Sequence, residues 1–138
     1  MRFKKVTLEE MYQPQMLRQQ GDTDCGVEVF RALLEMDREN ILRDMPEAFH
    51  GKTVDQWKAY LESKGYEVFH YLPGDDYALP AAHLVGTPPN FCHWVFEAED
   101  GGIYDPSSIH EFTPPKMLEL SDFGRLICTI TIRKPTAT

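Results

Sequence analysis

No stretch of this chain stays apolar for the roughly 20 residues that a membrane-spanning helix needs, so no span is expected. Positive charge is also sparse: 14 Lys and Arg stand against 22 Asp and Glu, a net charge of −8. The basic residues are scattered and form none of the clusters that phosphate binding requires, so neither nucleic acid nor an anionic membrane is an expected partner. Cysteine is scarce, and three is an odd number. Free thiols in a reducing, cytoplasmic setting are the simplest reading. A zinc site built from Cys25, Cys92, Cys128 and His93 is disfavoured, because Cys92 and His93 are adjacent and would point to opposite faces of a strand. No metal or organic cofactor is called for. The basic start, Met1 to Lys5, is not followed by an apolar segment, so no signal peptide is expected. Repeats, low-complexity tracts and long linkers are lacking too. Residues 1–138 therefore read as a single domain, and 42% hydrophobic residues suffice for one core.

What the chain does contain is a run of helical patterns followed by a run of strand patterns. Thr7 to Glu10 fits a capping box and predicts a short helix to about Tyr12, broken by Gln13 to Gln15 around Pro14. Thr23 or Asp24 is placed to cap a second, half-buried helix over about Cys25 to Met36, with Phe30, Leu33 and Leu34 on its apolar face. Glu39 to Asp44 predicts a further short turn before Pro46. Thr53 and Gln56 form another capping box, Val54, Trp57, Leu61 and Tyr60 make its buried stripe, and Gly65 stops it. Strand patterns follow at 66–71, 82–85, 91–96 and 103–105, the last two joined by a hairpin at Asp100 to Gly102. Pro114 to Leu120 suggests a helical turn, and Leu126 to Ile132 a last strand that would close the sheet. Helices first and antiparallel strands second is the α+β pattern.

Against that framework, a few residues carry chemistry. Cys25 opens a predicted helix, where backbone N–H groups favour a thiolate, and Gly26 leaves room beside its sulfur for a substrate carbonyl. A small buried cysteine on a helix face is the plainer reading, but the surrounding Asp24 and Gly26, with Gln19 six residues upstream, favour a nucleophile. Gln19 is placed to donate to an oxyanion beside the Cys25 N–H, although Gln20 competes for that register. His93 sits mid-strand amid strong apolar residues, facing with Phe91 and Val95, which suits a general base as well as a buried structural histidine. His50, His70, His83 and His110 read as surface or loop residues, with His83 the serious rival because it lies in a neighbouring strand pattern. Asp105 is twelve residues after His93, and a hairpin returns it beside that histidine, where a carboxylate would orient the imidazole. It also starts an Asp-Pro turn, which is compatible; Asp100 is the weaker candidate because it sits in the hairpin turn.

Gln19, then Asp24, Cys25 and Gly26, then His93 with Trp94 and Val95, then Tyr104, Asp105 and Pro106, resembles the papain-like cysteine peptidases over about residues 15 to 108. The cysteine motif is similar to that of the double-glycine leader peptidases. The middle of the chain, with Asp44 to Pro46 ahead of a tryptophan-bearing helix ending in Lys64 to Tyr66, resembles small phage and bacterial proteins of the same superfamily. The resemblance implies a papain-like fold with N-terminal helices on a C-terminal antiparallel sheet. It also implies Cys25 as nucleophile, His93 as base, Asp105 as its orienter and Gln19 as oxyanion donor. Val27, Glu28 and Val29 depart from the small residues expected in the cysteine helix, and no attached transporter domain is expected.

The expected function is therefore a cysteine peptidase or related amide hydrolase acting on a peptide or protein, with deamidase, acyltransferase and transglutaminase-like chemistry also open. The alternative is a non-catalytic protein, of phage origin if the resemblance extends so far, that binds and inhibits or redirects a host protein. Its acidic surface would then face a basic partner.

Overall fold

The computed structural model describes residues 25–50, 52–87, 91–107 and 113–133, without the side chains at 49, 50, 87 and 91. The helix expected over Thr7 to Tyr12, its proline break, the caps Thr23 and Asp24, and Gln19 all lie outside the described residues. Among the described residues, three α-helices come first: α1 (Cys25–Leu34), α2 (Arg38–Asp44) and α3 (Val54–Ser63). Five strands follow: β1 (Glu67–Tyr71), β2 (Ala81–Thr87), β3 (Phe91–Glu97), β4 (Ile103–Tyr104) and β5 (Arg125–Arg133). They form one antiparallel sheet in the order β1-β5-β2-β3-β4, an α+β architecture. Among the described residues no helix is long and apolar enough to cross a membrane.

Three helix ends have a local cause. Thr53 and Gln56 form the reciprocal capping box of α3. Gly65, at φ 89°, ends α3: its N–H bonds Glu62 O, and the Tyr66 N–H bonds Leu61 O. The same two-bond closure ends α1, but there Glu35 takes the left-handed conformation (φ 56°), so the helix stops at Leu34 rather than at the expected Met36.

Helix α1 is not half buried, as its apolar face suggested, but buried on nine of its ten residues. Its apolar side joins Ile41, Trp57, Tyr60 and Leu61 from the other helices and Ala82, Trp94 and Ile130 from the sheet. Its polar side is buried as well, because the Glu28 carboxylate accepts from Arg31 Nε (3.3 Å) and Arg38 Nη1 (3.0 Å). Burial is the largest influence on Glu28 and raises its pKa even against both arginines. The indole of Trp57 stacks on Phe30 with centroids 4.4 Å apart and lies directly over Gly26. A Cβ at residue 26 would come within 2.9 Å of Trp57 Nε1, so Gly26 serves the core packing of the helix start. Gly26→Ala is expected to lose about 1–3 kcal/mol through overpacking, more than alanine's helix propensity returns. Urea unfolding of the variant checks this.

The last strand does not close the sheet as an edge. β5 lies inside it, between β1 and β2. The register between β2 and β5 shifts at Leu84/Val85: Leu84 pairs with Cys128 and Val85 with Leu126, leaving Ile127 as the extra residue. That bulge turns Leu126 toward Val85, Val95, Ile103 and Phe123 on one face, while Ile130 serves the helix-covered face. Ile127, displaced by it, remains 39% exposed. The 3₁₀ turns Pro115–Met117 and Leu120–Phe123 cover the second face.

Candidate active site

Three of the four expected site residues fall among the described residues, and they come together. Cys25 is the first residue of α1 and is buried. His93 lies on β3, paired with Val85 of β2. β4 pairs with β3 only at Phe96 and Glu97, so at His93 no described strand occupies that side. The chain leaves β4 at Tyr104, and the next residue is Asp105. The turn at Asp100 to Gly102, where Gly101 takes φ 86°, sets this return.

The His93 imidazole interacts with both of the other groups. Its Nε2 lies 2.5 Å from Asp105 Oδ1, and the Cys25 side chain is close enough to its ring to influence its charge. His93 and Asp105 are 6% and 2% exposed, so both charges depend on each other rather than on solvent. Burial is the largest influence on His93 and lowers its pKa. The ring's interactions with Asp105, the larger, and with Cys25 outweigh it and push the pKa up to about 9. Burial likewise raises Asp105, yet His93 and Ser107 together hold it below the usual carboxylate value. The arrangement therefore favours imidazolium beside carboxylate at neutral pH.

A raised histidine pKa is also a statement about folding. His93 contributes stability that is fully present below its unfolded value of about 6.5 and is lost as pH rises through about 9. The gap in thermal midpoint between wild type and His93→Gln is thus expected to be widest near pH 6 and to shrink steadily toward pH 10. Calorimetric scans across that range check it.

The remaining histidines separate cleanly. His70 is exposed, whereas His83 is completely buried rather than at a surface or in a loop. Its Nδ1 lies 2.7 Å from Thr129 Oγ1 and its Nε2 2.8 Å from Glu97 Oε1, which also accepts from the Tyr77 hydroxyl at 2.8 Å. Both of its ring nitrogens are committed within the sheet face, and its charged partner is Glu97. The side chain of His50 and all of His110 lie outside the described residues. Asp100 caps its own hairpin by accepting from Gly102 N, a turn role. Cys92 is exposed and Cys128 buried; among the described residues no group of three His, Cys, Asp or Glu side chains could hold a metal ion.

Ser107 contacts the site without having been singled out from sequence. Its N–H donates to Asp105 Oδ1 (2.9 Å) and its hydroxyl to Asp105 Oδ2 (2.6 Å). The available signal was the Asp-Pro-Ser order, since Asp commonly accepts from the N–H two residues on. A scan against protein-family models finds no match for this chain, and a search of the curated proteins finds none either.

Proposed function

We propose that this protein is a papain-like cysteine peptidase or related amide hydrolase acting on a peptide or protein. One observation carries the reading: a single buried imidazole is held by a buried carboxylate and lies near the Cys25 side chain at the start of a buried helix. A structural histidine needs only its hydrogen bonds satisfied, as His83 illustrates. A hydrolase needs a thiolate, a proton donor aimed at the leaving group, and a fixed ring orientation.

In the proposed reaction the Cys25 thiolate attacks the substrate carbonyl carbon, forming a C–S bond and moving the π electrons onto oxygen. The Cys25 N–H and Gln19 hold that oxyanion. Collapse breaks the C–N bond, and the departing amine takes the proton from the His93 imidazolium. A water then gives a proton to His93 and attacks the thioester, and the thiolate leaves. Asp105 keeps the ring oriented and charged without itself taking the proton.

The test is a peptide-library incubation with mass-spectrometric readout of both products and enzyme. The reading expects cleaved or deamidated peptides and a thioester adduct on Cys25, both lost in Cys25→Ala. A wild-type protein that turns over no peptide, and whose Cys25 also fails to react with acyl-type electrophilic probes, contradicts it.

A further inference from the structure

We infer that Ser107 is a positioning residue for the Cys25–His93–Asp105 group, clamping the Asp105 carboxylate so that Oδ1 addresses His93; this rests on the hydrolase reading above. The two oxygens of Asp105 are used differently. Oδ1 receives both His93 Nε2 and the Ser107 N–H, and Oδ2 receives the Ser107 hydroxyl. Asp105 is 2% exposed, so water cannot readily replace a lost donor. A carboxylate held by one oxygen alone can rotate about its Cβ–Cγ bond. With the hydroxyl on Oδ2 the carboxylate plane is fixed, and so is the direction from which it meets the imidazole. The hydroxyl also stabilises the ionised form, because it can donate to a carboxylate that no longer has a proton to share. Residues 105 and 107 are two apart on one turn after β4, so the clamp is built with the turn and needs no distant element.

The substitutions Ser107→Ala and Ser107→Gly remove the hydroxyl and keep the backbone N–H. Ser107→Thr keeps the hydroxyl. Two readouts separate positioning from mere support of the turn: the rate of Cys25 alkylation by iodoacetamide across pH 5 to 10, and the NMR titration of the His93 ring. Folding of each variant is checked by circular dichroism. The expected result is a fall in Cys25 alkylation at pH 6 of about threefold to tenfold in Ser107→Ala and Ser107→Gly. A downward move of the His93 titration accompanies it, and Ser107→Thr stays close to wild type in both readouts. If folded Ser107→Ala and Ser107→Gly keep the wild-type profile while His93→Ala loses it, the role given to Ser107 is overturned and the hydrolase reading stands. If His93→Ala itself keeps the wild-type profile, the reading beneath fails and the role of Ser107 falls with it.

Discussion

Replacing Asp105 by alanine is expected to slow Cys25 alkylation at pH 6 by about 10- to 100-fold, and any hydrolytic turnover by about 10³- to 10⁴-fold. The carboxylate is His93's 2.5 Å partner, and its hydrogen bond and charge are among the influences that raise the imidazole above its ordinary range. Without it, the lowering by burial meets less opposition, and the ring holds its proton less tightly. In the proposed reaction the Cys25 thiolate would then lose its imidazolium, and the leaving amine its proton donor. The ring also loses the anchor that fixes its orientation. Asp105→Asn should fall between the two, since its amide oxygen still accepts from the imidazole N–H but carries no charge. Stopped-flow alkylation of the three proteins checks this order. Equal rates in wild type and Asp105→Ala would mean that the carboxylate only builds the turn it shares with Ser107.

The second large effect is on stability. Glu28→Ala is expected to cost about 3–5 kcal/mol, the scale for breaking a buried ion pair by removing one partner. Glu28 and Arg31 are 2% and 5% exposed, and Arg31 Nε and Arg38 Nη1 both donate to the same Glu28 oxygen. Removing the carboxylate leaves the Arg31 charge enclosed by the fold. Glu28→Gln, which keeps an acceptor oxygen, should lose less. A double change, Glu28→Met with Arg31→Leu, should recover much of the loss, because it removes the desolvated charge together with its partner. Urea denaturation of the four proteins gives the ordering. If Glu28→Ala proves as stable as wild type, the Glu28–Arg31–Arg38 group does not hold α1.

What the sequence conveyed and what it withheld follow from the range of the interactions involved. The hairpin that returns Asp105 to His93 was legible, because Asp100 to Gly102 is a local turn signal between two strand patterns. So was the α3 capping box, which involves neighbours three residues apart. The end of α1 was misplaced because Glu35, not a glycine, takes the left-handed position. Its burial was missed because Glu28 and Arg31 look solvent-facing until Arg38, ten residues from Glu28, completes their pairing. Strict alternation along β5 puts Leu126 and Ile130 on one face, and only the pairing with β2 reveals the extra residue between them. His83 looked like a rival base because its partners, Thr129 and Glu97, lie 46 and 14 residues away.

The most direct test of the central claim is the pH dependence of iodoacetamide alkylation at each cysteine, read by mass spectrometry, in wild type and His93→Ala. The three thiols control one another. Cys92 is exposed, Cys25 is 7% exposed, and burial raises the pKa of Cys128 despite nearby Lys58. If access alone governed reactivity, Cys92 would lead at every pH. The account predicts that Cys25 leads below pH 7 despite its burial, and that His93→Ala abolishes that lead while leaving Cys92 unchanged. Cys92 reacting first throughout, with Cys25 indifferent to His93→Ala, would contradict it.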